Sequence, residues 1–377
     1  MSLDKFKGCL IGGAAGDALG YEIEFWGNHQ IFDTYGPQGI QEYELNYGEA
    51  LISDDTQMTL FTAVGLLNEA AKSVENEKYS MLPLLGIWDA YYEWYQMQYN
   101  GIHTKSDPKV LKRRKTWLFH ILELRERRAP GMACMGSLRG KIPGSIEDPI
   151  NNSKGCGGVM RVAPVGLFFN RFPEKEDRIA EVNYIAAGAA ALTHGHPLGY
   201  LTAAVLAHIV NRIACGGCTY GDSLKDIILE SMDYLQKLYP ETAYSKTLCD
   251  LLQKAMELTE NGKDDLENIT ELGEGWVAEE TLAIAIYCAL KYQDDFSKAI
   301  CVSVNHKGDS DSTGAVTGNI LGAWIGYEQI PAKWKKNLEC HNTIVKVAED
   351  LYRSKEVMET KIADDTWKKR YLEMEKI

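Results

Sequence analysis

With 377 residues, 45% of them hydrophobic, the chain is long enough to bury a large core, as one big domain or two ordinary ones. A formal net charge of −13 opposes binding to nucleic acid or to anionic lipid, so any anionic ligand must be held by a local device. Nine cysteines, an odd number without a regular framework, fit free thiols in a reducing cytoplasm better than a stapled secreted scaffold, and the longest apolar runs fall short of a membrane span.

Taken in order, the chain opens with Lys5 and Lys7 ahead of Cys9-Leu10-Ile11-Gly12-Gly13-Ala14-Ala15, a faint likeness to a signal peptide. The apolar part is short, however, and Gly8, Gly12, Gly16 and Gly20 form the single stripe of a buried core helix. Each such glycine costs about 1 kcal/mol against alanine in a helix interior, and close helix–helix approach is the expected compensation. The same spacing returns at Gly314, Gly318, Gly322 and Gly326. Both helices are therefore expected in the protein's centre, with each other as candidate partners.

Trp26 to Gly48 is turn-rich and reads as a surface loop, after which Ser53-Asp54-Asp55-Thr56 opens a helix with a broad apolar face (Met58, Leu60, Phe61, Val64, Leu66, Leu67). Further helices are expected at about 82–99, 108–127, 176–193, 197–214, 222–239, 243–261, 276–293, 295–306, 312–326 and 331–353, with a charged last one from about 355. The aromatic cluster Trp88, Tyr91, Tyr92, Trp94, Tyr95 and Tyr99 has helical spacing and reads as core packing. Between Arg128 and Pro164, proline and glycine break the pattern, and so long a loop suggests function. Strand-like alternation is scarce, so the chain reads as one compact, all-α, many-helix domain over 1–377.

Two clusters could carry chemistry. Asp309, Asp311 and Ser312 sit at the mouth of the second glycine-striped helix; Ser53, Asp54 and Asp55 sit at the mouth of another. Either set can simply cap its helix. If the two face each other, four carboxylates roughly balance two divalent cations, with the serine hydroxyls and water completing an oxygen-rich shell suited to Mg²⁺ or Mn²⁺. Glu22 and Glu24 follow the first glycine helix and are candidates for acid–base work. Gly155-Cys156-Gly157-Gly158 could form an anion nest or a plain tight turn. His194 and His196 could bind zinc or close a helix C-terminus, and Cys215 with Cys218 has redox spacing without a second pair.

Four segments together resemble the ADP-ribosylglycohydrolase family, which includes the dinitrogenase-reductase-activating glycohydrolases. They are Gly12 to Gly20 with Glu24-Phe25, Ser53 to Thr59, Gly155 to Pro164, and Asp309 to Gly314; Thr193-His194 and Gly275 to Glu280 also look like family segments. The resemblance implies an all-α hydrolase with a binuclear Mg²⁺ or Mn²⁺ centre that cleaves the glycosidic bond between ADP-ribose and a modified protein side chain or small molecule. Carried over by position, Ser53, Asp54, Asp55, Asp309, Asp311 and Ser312 are metal ligands, Asp54, Asp55, Glu24 and Asp309 are catalytic, and Gly155, Cys156, Gly157, Gly158 and His194 line the ADP-ribose pocket. Serine replaces the threonine of many relatives at 53 and 312 and keeps the hydroxyl. The implied bond is that of ADP-ribosyl-arginine; ADP-ribosyl-serine, O-acyl-ADP-ribose and a silent ADP-ribose-binding relative are the other implied readings.

Overall fold

Helix α1 (Leu3–Tyr21) starts at Ser2, whose hydroxyl accepts from the Asp4 amide, and buries nearly every residue from Gly8 onward. Its partner is the second glycine-striped helix, Ser310–Ile325, running antiparallel to it. A Cβ placed on Gly318 would lie 1.9 Å from the Gly12 carbonyl oxygen, one on Gly8 2.1 Å from that of Gly322, and one on Gly16 1.9 Å from that of Gly314. No side chain fits there, so the two backbones touch along the whole stripe and bring an early and a late segment of the chain together. Gly326 closes the row: a Cβ on Gly8 would lie 2.9 Å from its carbonyl carbon, and with φ of 86° it ends the helix in a conformation that L side chains rarely adopt.

The structure is a computed structural model and describes residues 2–76, 78, 80–100, 116–169, 175–216, 218–240 and 242–373. Among them there is no sheet, only isolated bridges such as Gly155 with Val277. After α1 come α2 (Asn28–Tyr35), α3 (Asp54–Glu75), α4 (Pro83–Asn100), α5 (Met132–Arg139), α6 (Ala163–Phe168), α7 (Lys175–Ala191) and α8 (Pro197–Cys215). They are followed by α9 (Leu224–Leu238), α10 (Ala243–Leu258), α11 (Asp265–Leu272), α12 (Ala278–Lys291), α13 (Phe296–Val304) and α14 (Ser310–Ile325). The chain closes with α15 (Ala332–Lys335), α16 (His341–Thr360) and α17 (Asp365–Lys368).

Several expectations change. The stretch read as a loop after Trp26 holds α2, and the broken region after Arg128 holds α5 and α6. Of the helix expected at 108–127, residues 108–115 lie outside the described set, and the remainder forms two 3₁₀ turns, Trp117–His120 and Glu123–Arg125. The single helix expected at 331–353 is two, because Asn337 and Cys340 adopt left-handed backbone at φ of 62° and 57°. Helix α16 then runs through 355 to Thr360, ended by left-handed Lys361. Helix α8 is long and apolar enough to cross a membrane, contrary to the reading of the apolar runs, but 89% of its apolar window is buried within the fold. The nine cysteines are all free thiols. In the aromatic cluster, Trp88, Tyr91, Trp94 and Tyr95 are core residues whereas Tyr99 is exposed.

Candidate active site

The antiparallel α1–α14 pair puts the C-terminal end of α1 beside the N-terminal mouth of α14. Asp17, buried in α1, reaches sideways to the start of α3: its carboxylate accepts from the Ser53 amide at 3.0 Å, the Thr56 amide at 3.1 Å and the Thr56 hydroxyl. Ser53 is the N-cap of α3, its hydroxyl accepting from the Asp55 amide at 3.1 Å. Asp309 is the N-cap of α14, accepting from the Ser312 amide at 3.3 Å, and Asp311 accepts from the same amide at 2.8 Å. Capping is thus real at both helices. The clusters nevertheless join, because the Ser312 hydroxyl donates to Asp55 Oδ2 at 2.8 Å across 257 positions of sequence.

A pocket of about 340 Å³ opens between these helix mouths, lined by Glu24, Asp54, Asp55, Asp309, Asp311 and Ser312 on one side. Gly155, Cys156, Gly157 and His194 line the other, and the Cys156 thiol donates to Asp309 Oδ2 at 2.7 Å. Of the site residues carried over from the family resemblance, all line one pocket except Ser53, engaged in its cap, and Gly158, packed behind His194 and against α8. Glu22 is exposed and lines none of it. Phe25 and Trp276 stack at the rim with ring centroids 6.0 Å apart.

The pocket crowds buried carboxyl groups whose charged forms are disfavoured. Burial, then the negative charges of Asp309, Asp54 and Asp17, push the Glu24 carboxyl up to about 9. Asp54 is pushed up to about 8, mainly by burial against the Gly131 amide that holds it down, and Asp55 and Asp311 lie well above the usual carboxylate range for the same first reason. Glu24 Oε2 is buried without a hydrogen-bond partner. Among the described residues no three His, Cys, Asp or Glu side chains already converge on one point as an ion cage. The donor chemistry nonetheless fits hard divalent cations: carboxyl and hydroxyl oxygens, several buried acids that a cation would hold ionised, and an orphaned oxygen in the same pocket.

On the opposite wall, Cys156–Gly158 forms a 3₁₀ turn, with the Cys156 amide donating to the Trp276 carbonyl. A Cβ on Gly157 would meet the Cys134 sulfur at 3.0 Å and His194 Cε1 at 3.1 Å, so the loop and the imidazole are in contact. Burial, with the positive charge of Arg161, holds His194 down to about 3, and the ring stays neutral. His196 caps α8, its Nδ1 accepting from the Leu198 amide, so the pair does not act as a joint zinc ligand. Sequence reasoning passed over Asp17 and Arg161. The signal for the first was an acid inside an otherwise apolar glycine stripe; for the second, a lone arginine directly after the glycine loop.

The fold and site define an all-α protein with an acidic, hydroxyl-rich pocket at facing helix mouths, and the comparisons make its family specific. The model of the family described as ADP-ribosylglycohydrolase matches residues 1–360, and the chain belongs to that family. ADP-ribosylhydrolase ARH3 from Bos taurus is 26% identical, covering 93% of this chain and 93% of the relative. ADP-ribosylarginine hydrolase Tri1 from Serratia proteamaculans is 23% identical, covering 93% of this chain and 80% of the relative. A solved structure described as an ADP-ribosylglycohydrolase-related protein complex matches with TM-score 0.53 at 21% identity, covering 94% of this chain and 98% of that one, which supports the same fold.

Proposed function

We propose that the chain is a metal-dependent hydrolase that releases ADP-ribose from a modified arginine side chain by cleaving the N-glycosidic bond. The observation that carries this reading is the meeting of Asp55 and Ser312 inside the pocket that Asp54, Asp309 and Asp311 also line. Asp54, Asp55, Asp309, Asp311 and Ser312, with Ser53 behind them, would hold two divalent cations, Mg²⁺ or Mn²⁺. Such cations supply Lewis-acid charge and make water acidic enough to act as a nucleophile near neutral pH.

The chain's own residues do the rest. Asp54 or Asp55 orients the attacking water, and Glu24, whose Oε2 is buried and unpartnered, relays a proton or stabilises the developing oxocarbenium charge. The Gly155–Gly158 turn and His194 face the diphosphate. Glu24, with the stacked Phe25 and Trp276 at the rim, suits a guanidinium, which is attracted to carboxylates and to aromatic faces. The 23% identity with a relative named for ADP-ribosylarginine supports the same acceptor.

The test is release of ADP-ribose from ADP-ribosyl-arginine, ADP-ribosyl-serine and O-acyl-ADP-ribose, with and without chelator. Arginine release is expected, abolished by chelator and reduced on the order of 100-fold or more in Asp55→Ala and Asp309→Asn. Full metal-dependent activity in either variant sinks the site. Turnover of the serine or acyl substrate alone sinks the arginine assignment.

A further inference from the structure

We propose that Arg161 and Thr193 are positioning residues that fix His194 as the tautomer protonated on Nε2, so that it offers a fixed N–H to an anionic oxygen of the bound ligand. The tautomer follows from the hydrogen bonds alone; the anionic ligand rests on the ADP-ribose reading above.

Arg161 is fully buried, its guanidinium 4.3 Å from the Tyr91 ring centroid. Its Nη2 donates to the Thr193 hydroxyl oxygen at 2.6 Å and to the Ala189 carbonyl at 3.2 Å, while Nη1 faces the Cys134 and Met58 sulfurs. Thr193 Oγ1 in turn lies 2.8 Å from His194 Nδ1. A guanidinium has no acceptor, so Thr193 Oγ1 must accept from it. The hydroxyl has one proton of its own, and Nδ1 is there to receive it. The reverse assignment, with Nδ1–H donating, would give the oxygen two donors and leave its own proton buried and unpaired, a cost of about 1–3 kcal/mol. The first arrangement wins.

With Nδ1 accepting, the neutral imidazole carries its proton on Nε2. That nitrogen borders the glycine turn: a Cβ on Gly157 would lie 3.2 Å from it and one on Gly155 3.5 Å. His194 lines the pocket on the wall opposite the carboxylates. The donor is therefore neutral, fixed in direction and set apart from the acidic side, which suits a phosphate oxygen in a protein short of positive charge.

The experiment uses the full chain labelled with ¹⁵N-histidine, with His194→Asn to assign the signal. Long-range ¹H–¹⁵N spectra between pH 5.5 and 8 should show one neutral ring protonated at Nε2. Thr193→Val should lose that preference and weaken calorimetric ADP-ribose binding roughly tenfold, the scale of one hydrogen bond to a charged group. Thr193→Ser should restore both. An Nδ1–H signature in the unsubstituted protein, or a Thr193→Val protein with tautomer and affinity unchanged, overturns the proposal. If the unsubstituted protein shows the Nε2–H ring yet binds no ADP-ribose, the ligand half and the ADP-ribose reading fall together while the relay stands.

Discussion

At the scale of single residues, Asp17 is the group on which the acidic site depends without lining it. Its two oxygens face only donors, the amides of Ser53 and Thr56 and the Thr56 hydroxyl. Burial pushes it up to about 6, a rise limited by those same hydrogen bonds. Asp17→Asn would turn one acceptor into an NH₂ aimed at an amide. We expect a loss of about 1–3 kcal/mol in denaturant unfolding and Mn²⁺ affinity reduced roughly 10- to 100-fold in a titration, the usual effect of removing a group that orients ligands. Unchanged midpoint and unchanged Mn²⁺ binding would remove Asp17 from this role. The acidic pairs themselves were legible because hydroxyl plus carboxylate at a helix start is a local pattern. Asp17 and the Arg161–Thr193–His194 chain were not, since their meaning lies in partners 28 to 39 positions away that only the fold brings near.

Among the elements, the glycine stripes were readable because a row of costly residues on one helix face demands a close neighbour. What periodicity missed were α2, too short and polar to stand out, and the break before α16, made by non-glycine left-handed residues that carry no sequence mark. The stripe makes a prediction whose sign opposes helix propensity. Alanine in place of a helical glycine ordinarily gains about 1 kcal/mol. In Gly318→Ala the new Cβ would lie 1.9 Å from the Gly12 carbonyl oxygen, and the helices must part, so a net loss of at least about 1–3 kcal/mol is expected. Gly136→Ala in α5 is the control: nothing lies within 4 Å of its Cβ, and it should be neutral or slightly stabilising. Chemical denaturation of the two variants decides; equal effects would mean the stripe does not hold the helices at contact.

For the whole molecule, three buried histidines tie stability to acid. Burial is the first cause that lowers His194, His208 and His306 below their ordinary 6.5, helped at His194 by Arg161 and opposed at His208 by the Glu230 carboxylate 3.7 Å from its Nε2. The folded chain keeps these rings neutral while the unfolded chain protonates them below about pH 6.5. The unfolded state then binds more protons, and stability falls as pH drops, down to about 3 for His194. Each ring contributes at most about 1.4 kcal/mol per pH unit. Asp54 and Glu24, raised to about 8 and about 9, act in the opposite sense while no cation offsets them, so the measurement is made in saturating Mg²⁺. Urea unfolding at pH 7.5, 6.5 and 5.5 should show the decline; a flat profile would contradict it.

The contact between α1 and α14 also sets an order of events during synthesis. Asp55 leaves the ribosome 257 positions ahead of Ser312, which at about 5–20 residues per second is roughly 10–50 s. For that interval α1 has its glycine face bare and the carboxylates of α3 lack their counterpart. A nascent chain halted before α14 therefore offers half a pocket, and the appearance of the complete pocket reports that α14 has docked onto α1.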